Sequence, residues 1–195
     1  GLHFNLTYGA VTRDPGRPGA PSPGRLLLKW LDPRVDREAL GEATRQELRR
    51  QLRKLEELKV RVDYLDGHHH IHLVPGVLRA IAPVLREKGI RCVRLPYDPG
   101  LWLSSRFPLL ILSLLARREI EAQGFESLPC VYPRAAHFRD QGALRALLAR
   151  NPEAEVIVHP ADRDDVGGLE EPDSYTSGRV TEFLALRMLL PGDPS

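Results

Sequence analysis

The hydrophobic and polar positions of the chain change period several times, which predicts alternating strands and helices. Residues 1–7 alternate apolar and polar side chains without a break, as in a half-buried strand. Residues 33–59 carry leucines at helical spacing among many arginines and glutamates, which predicts a long amphipathic helix with Asp32 as its N-cap. Between these segments, residues 8–24 are rich in proline and glycine and show no period, so they predict a long loop.

The rest of the chain continues the alternation. Further helices are predicted over residues 77–88, 109–123, 141–149 and 179–190, and further strands over 64–75, 90–96, 128–132 and 155–160. This order predicts a parallel α/β sheet or barrel with crossover helices. The charged face of the long helix, including the pair Glu47 and Gln51, is interpreted as solvated surface because such pairs are weak.

One segment, residues 64–75, holds four of the seven histidines in the sequence Tyr-Leu-Asp-Gly-His-His-His-Ile-His-Leu-Val-Pro. Its apolar flanks argue against an engineered tag and predict a buried strand, in which Asp66, His68, His70 and His72 share one face. Imidazoles are costly to bury without partners, so a divalent metal is the candidate partner. A solvated polar patch or a hydrogen-bonded structural cluster is the alternative.

Length and composition narrow the class of protein. The chain has 195 residues and 42% apolar side chains, enough for one domain over 1–195 with a sizeable core. A net charge of +2, without basic runs, does not imply nucleic acid. The two cysteines, Cys92 and Cys130, are too far apart for a zinc-ribbon motif, and the longest apolar stretch, 107–116, is too short to span a bilayer. We therefore expect no membrane span and a cytoplasmic location.

Functional groups of parallel α/β folds collect at the carboxyl ends of the strands, and His3, His68, Arg94 and His159 all belong to such ends. Two neutral histidines form an incomplete metal site, because catalytic sites usually have three protein ligands. A metal ion would activate water for amide or ester hydrolysis, and His159 is the candidate donor of a proton to the leaving amine.

A carboxylate is the usual third ligand, and Asp66 is one candidate. Because it precedes His68 by two residues, Asp66 could instead orient a ligand from behind, as could His70 and His72.

Four motifs together resemble the YdjC/ChbG-like carbohydrate deacetylase family. They are Gly-Leu-His-Phe-Asn-Leu-Thr at 1–7, Asp-Gly-His-His-His-Ile-His-Leu-Val-Pro at 66–75, Val-Arg-Leu-Pro at 93–96 and Val-His-Pro-Ala at 158–161. The resemblance covers nearly the whole chain. It implies a TIM-barrel-like fold and metal-dependent removal of acetyl groups from N-acetylated sugars such as chito-oligosaccharides, and relatives in hopanoid biosynthesis imply a second class of acylated substrate.

Carried over by position, the resemblance implies that His3 and His68 bind one divalent metal ion, Mg²⁺ or Zn²⁺. It implies that His159 is the catalytic acid and that Arg94 contacts the oligosaccharide substrate, and we expect Asn5, on the polar face of the first strand, to contact it too.

One departure from the family concerns the Asp-Asp pair of its first strand, which nothing in this sequence matches. Either the sequence begins about one βαβ unit late, which leaves the barrel incomplete at its N-terminus, or another group replaces the pair; without the pair we expect weakened metal affinity and little activity. The alternatives are a catalytically inactive metal- or sugar-binding domain and a metallophosphoesterase-like hydrolase. Exposed sheet edges would also favour a homo-oligomer.

Overall fold

The structure is a computed structural model, and two compact units divide the chain at Leu128 and Pro129. It describes residues 1–6, 23–74, 76–96, 107–162 and 176–189. The single domain expected over 1–195 stays a prediction. Of the loop predicted over 8–24, residues 8–22 lie outside the described residues.

The first unit is built around a small parallel sheet. Its elements are β1 (Leu2–Phe4), α1 (Pro23–Leu31), α2 (Arg37–Glu57), β2 (Tyr64–Gly67), a 3-10 segment (His68–Leu73), α3 (Val77–Glu87), β3 (Cys92–Val93) and α4 (Phe107–Ala122). The strand order is β1-β2-β3, and His3 lies opposite Asp66 in the register of β1 and β2. Because the strands are parallel, their carboxyl ends meet at one edge of the sheet.

The core of this unit lies between the sheet and its helices. α2 packs against α3 and buries Leu48 and Leu52, while α3 buries Ile81 and Leu85 almost completely. Full burial of a leucine or isoleucine side chain contributes about 1.5–3 kcal/mol. These side chains therefore hold the long helix against the sheet that carries the histidines.

The long helix begins later than the sequence predicts. Asp36, not Asp32, is its N-cap, and the Asp36 carboxylate accepts hydrogen bonds from the backbone N–H groups of Glu38 and Ala39 at 2.9 and 3.0 Å. Asp32 instead pairs with the side chain of Arg34. The preceding helix α1 was not predicted, because its nine residues follow the proline- and glycine-rich segment directly.

The prediction that the histidine segment is one strand is wrong after Gly67. His68–Leu73 forms a 3-10 segment, which His69 and His70 interrupt with left-handed φ angles of 51° and 54°. Helical turns bury Ile71, His72 and Leu73 together, whereas a strand would have alternated their side chains. The single face predicted for Asp66, His68, His70 and His72 therefore does not exist.

The second unit has its own sheet and core. It contains β4 (Cys130–Val131), α5 (Ala135–Arg139), α6 (Gln141–Arg150), β5 (Glu155–Val156) and α7 (Thr176–Arg187). β4 and β5 are parallel, and Phe138, Leu144 and Ala185 of the three helices form a separate buried cluster. The short helix α5 was not predicted, whereas the helices predicted over 77–88, 109–123, 141–149 and 179–190 are confirmed within a few residues.

Both units are mixed α/β structures with parallel strands, which confirms the predicted class. The described strands form one sheet of three and one of two, and they do not confirm a TIM barrel. Within the described ranges, every helix is too short or too polar to span a bilayer.

Candidate metal and catalytic site

The parallel pairing of β1 and β2 brings His3 and His68 together at the carboxyl edge of the sheet. His3 Nε2 lies 3.2 Å from His68 Nδ1, and the two rings meet edge to face with their centroids 5.3 Å apart. His3 is on β1, and His68 is the first residue after β2. Two residues 65 positions apart in the sequence thus bring one ring nitrogen each within hydrogen-bonding distance of the other.

Asp66 lies behind this pair and fixes the ring of His3. The Asp66 side chain is buried, and its Oδ2 lies 2.5 Å from His3 Nδ1. Burial alone would raise the pKa of Asp66, but the hydrogen bond from His3 and the nearby positive charges, including Arg94, outweigh it and lower this pKa. An ionised carboxylate only accepts hydrogen bonds, so His3 Nδ1 carries a proton towards Asp66, and Nε2 is the ring nitrogen left for a metal ion.

His68 is neutral near pH 7. Burial, followed by the nearby charges of His69 and His3, lowers the pKa of His68 to about 4. A neutral imidazole is the form that binds metal ions, since one ring nitrogen then keeps its lone pair. His68 is therefore in the protonation state that a metal ligand needs.

The spacing of the two nitrogens suits a shared cation. Zinc–imidazole bonds are about 2.0–2.1 Å long, so two nitrogens bound tetrahedrally to one ion lie about 3.4 Å apart. The separation of 3.2 Å between His3 Nε2 and His68 Nδ1 is close to this value. Among the described residues, no group of three or more histidine, cysteine, aspartate or glutamate side chains is arranged to hold a metal ion. The described part of the site thus supplies two candidate metal-coordinating nitrogens, those of His3 and His68.

Arg94 follows β3 and forms an ion pair with Asp66. Its Nη1 donates to Asp66 Oδ2, and its Nε donates to the hydroxyl oxygen of Tyr64 at 3.0 Å. The guanidinium also lies 5.8 Å from the centroid of the Tyr64 ring. Arg94 therefore holds the carboxylate that orients His3, and its expected contact with substrate stays a prediction.

The buried side chain of His72 lies next to the site and is hydrogen-bonded to the main chain of Arg94. Its fully buried ring donates from Nε2 to the carbonyl oxygen of Arg94 at 2.7 Å, and burial lowers the pKa of His72. A Cβ atom at Gly67 would overlap with this ring, which lies directly against the Cα atom of Gly67. Glycine at position 67 thus allows the buried histidine to reach the end of β3.

His70 lies beside His72, with 6.4 Å between the two ring centroids. Burial, followed by the charge of His72, lowers the pKa of His70 to about 3, so its ring is neutral near pH 7. His70 Nδ1 has no hydrogen-bond partner within the described part of the chain. The expected roles of His70 and His72 in orienting a ligand stay predictions.

Asn5 follows β1, two residues after His3. Both polar backbone groups of Asn5 are hydrogen-bonded to the side chain of Gln51. Gln51 accepts from the Asn5 N–H at 3.1 Å and donates to the Asn5 carbonyl oxygen at 2.6 Å. The expected contact between Asn5 and substrate stays a prediction.

His159 belongs to the second unit, where it follows β5 as an exposed residue. Its backbone N–H donates to Oε2 of Glu182, a buried residue of α7, and its carbonyl oxygen accepts a hydrogen bond from Arg179 at 3.4 Å. The segment that carries His159 is therefore tied to α7, and the role of His159 as catalytic acid stays a prediction.

Three residues that contribute buried polar contacts in the first unit were not recognised from the sequence, namely Glu47, Gln51 and Tyr64. Glu47 and Gln51 were interpreted as solvated surface, yet only 9% and 7% of their surface is exposed. Both are next to the buried Leu48 and Leu52, and polar residues beside the apolar positions of a helix could have indicated buried polar contacts. Tyr64 begins the segment predicted as a buried strand, and no pattern in the sequence marks its hydroxyl group as a partner of Arg94.

Comparisons with known proteins identify the family. The YdjC-like protein family matches residues 1–188, and the chain therefore belongs to it. A human protein named carbohydrate deacetylase is 36% identical over 210 aligned residues, which cover 90% of this chain and 64% of that protein. Mouse and zebrafish (Danio rerio) proteins of the same name are 35% and 32% identical over 54% and 48% of this chain.

The chain spans less than two thirds of each of these relatives, namely 64%, 37% and 30% of their lengths. A search of solved structures found none that matches the chain. Family membership confirms the resemblance described from the four sequence motifs.

Proposed function

We propose that this chain removes acetyl groups from N-acetylated sugars such as chito-oligosaccharides, as a metal-dependent hydrolase. The observation that carries the proposal is the pair of imidazole nitrogens of His3 and His68, 3.2 Å apart in front of the buried Asp66. The names of its relatives in the YdjC-like family support deacetylation of a carbohydrate.

His3 and His68 would hold one divalent ion, Zn²⁺ or Mg²⁺, of which zinc suits imidazole ligands better. When bound, the ion would polarise the amide carbonyl and lower the pKa of a water molecule. Asp66 keeps the proton of His3 on Nδ1, so Nε2 is left for the ion. Arg94 holds Asp66 in its ionised form and in one orientation.

Amide hydrolysis also requires a proton for the leaving amine, because an unprotonated amine is a poor leaving group. We assign that role to His159, and the contacts with the sugar to Arg94 and Asn5.

A metal- or sugar-binding domain without turnover is the second candidate. The described residues bring two nitrogen donors together, one fewer than the three protein ligands of most catalytic zinc sites. This candidate differs from the first in one measurable respect: it binds the ion and releases no acetate.

The test is acetate release from diacetylchitobiose by the purified chain loaded with Zn²⁺ or Mg²⁺. We expect slow acetate release from the wild type, its loss in His3→Ala and His68→Ala together with the metal, and its loss in His159→Ala with the metal retained. Metal binding without any acetate release would favour the second candidate. Unchanged turnover in His159→Ala would refute its role as the acid.

A further inference from the structure

The buried side chain of Gln51 makes two hydrogen bonds with the backbone of one residue at the end of β1. Gln51 Oε1 accepts from the Asn5 N–H at 3.1 Å, and Gln51 Nε2 donates to the Asn5 carbonyl oxygen at 2.6 Å. A side-chain amide that pairs with both groups of one residue imitates the backbone of a neighbouring strand. Since the paired register of β1 and β2 ends at Phe4, this amide continues the hydrogen bonding of the strand by one more residue.

The orientation of the Gln51 amide is fixed by a second residue of α2. Gln51 Nε2 also donates to Glu47 Oε1 at 2.7 Å, and Glu47 is itself held by two hydrogen bonds from Arg50 at 2.8 and 3.0 Å. If the amide flipped, its oxygen would face both the Asn5 carbonyl and the Glu47 carboxylate, which only accept hydrogen bonds. The amide therefore has one orientation, and the long helix holds the end of the strand in one position.

This contact is two residues away from His3. The side chain of His3 reaches Asp66 and His68 from β1, so its position depends on the path of the strand. Groups that orient metal ligands change metal affinity about 10–100-fold when they are removed. A loose strand end would widen the gap between the two ligand nitrogens without removing either ligand.

We propose that Gln51 is a positioning residue for the metal site, which acts by fixing the end of β1 so that His3 Nε2 stays beside His68 Nδ1. The inference rests on the proposed binding of a metal ion by these two histidines. Gln51 contacts neither the ion nor the substrate in this role. Its effect is on metal affinity, and it is distinct from the contribution of a buried hydrogen bond to the stability of the fold.

The test compares Zn²⁺ affinity, by titration calorimetry, of the wild type and of Gln51→Met, which has a side chain of similar length and no hydrogen bonds. Gln46→Met is the matched control, because Gln46 is the same residue type on the same helix and is exposed, and within the described part of the chain its side chain is hydrogen-bonded only to that of Glu42. Each protein is titrated at a temperature at which circular dichroism shows it fully folded. We expect the dissociation constant to rise about tenfold in Gln51→Met and to stay unchanged in Gln46→Met.

A second variant, Gln51→Asn, withdraws the amide from Asn5 by one methylene and keeps its polarity, and it serves if Gln51→Met does not fold. We expect the same rise in the dissociation constant. A lower unfolding midpoint with wild-type affinity would overturn the positioning role and leave the proposed function intact. Failure of the wild type to bind Zn²⁺ would instead overturn the metal site, and the positioning role with it.

Discussion

Replacement of Gly67 by alanine tests the packing beneath the candidate site. The backbone at Gly67 is extended, with φ −133° and ψ 129°, so any residue can adopt it. The need for glycine is therefore steric. A Cβ atom would lie 3.1 Å from both Cγ and the backbone nitrogen of His72 and still closer to its Nδ1.

The expected loss of stability follows from this overlap. One added carbon in a well-packed site costs about 1–3 kcal/mol, because the ring and the turn must shift. Alanine restricts the unfolded chain more than glycine does, and this effect stabilises the folded state by about 0.4–1 kcal/mol. Gly67→Ala should therefore lower the free energy of unfolding by about 1–2 kcal/mol.

A double-mutant cycle with His72→Ala separates this overlap from other effects. Without the ring, the added methyl group loses its contacts with Nδ1 and Cγ and keeps the 3.1 Å contact with the backbone nitrogen of residue 72, so Gly67→Ala should be close to neutral in the His72→Ala background. The coupling between the two changes should then be about 1–3 kcal/mol, measured by urea unfolding followed by circular dichroism. An equal cost in both backgrounds would refute the account of Gly67.

Two further predictions concern charge. The unfolding free energy of the metal-free chain should fall as the pH falls from about 6.5 towards 4. In the unfolded chain the imidazoles bind protons near pH 6.5, whereas in the folded chain burial lowers the pKa of His68 to about 4 and that of His70 to about 3. Protons therefore bind preferentially to the unfolded chain over this range. Urea unfolding at pH 7, 6 and 5 checks this, and a flat profile would contradict it. Arg94→Leu should cost about 3 kcal/mol by leaving the buried Asp66 carboxylate without its cation. Arg94→Lys should cost only about 1 kcal/mol, for the lost hydrogen bond to Tyr64; equal costs in urea unfolding would contradict the importance of the charge.

The elements with strong periodicity could be predicted from the sequence. The alternation around His3 defined β1, and the helix predicted over 77–88 is followed by Gly89, which has the left-handed φ of 71° that favours glycine at the end of a helix. Motifs that lie at the ends of parallel strands also brought His3, Asp66 and Arg94 to one site. Local patterns were sufficient there because strand pairing is decided by buried apolar side chains.

The histidine segment could not be predicted in the same way. Consecutive left-handed residues such as His69 and His70 are rare outside glycine, and no local pattern signals them. The turn buries His72, whose ring packs against Gly67 five residues earlier and donates to the carbonyl oxygen of Arg94, 22 residues later in the sequence. The role of Gln51 was hidden for the same reason, since its partner is 46 residues away.

The most direct test of the metal site is the amount of Zn²⁺ that the purified chain binds in equilibrium dialysis against excess Zn²⁺, determined by elemental analysis. Wild type is compared with His3→Ala and His68→Ala, and with His137→Ala as a control from the second unit. The account predicts about one equivalent of zinc in the wild type and the control, and its loss in both site variants. No zinc in the wild type, or zinc retained by both site variants, would contradict the assignment of His3 and His68 as metal ligands.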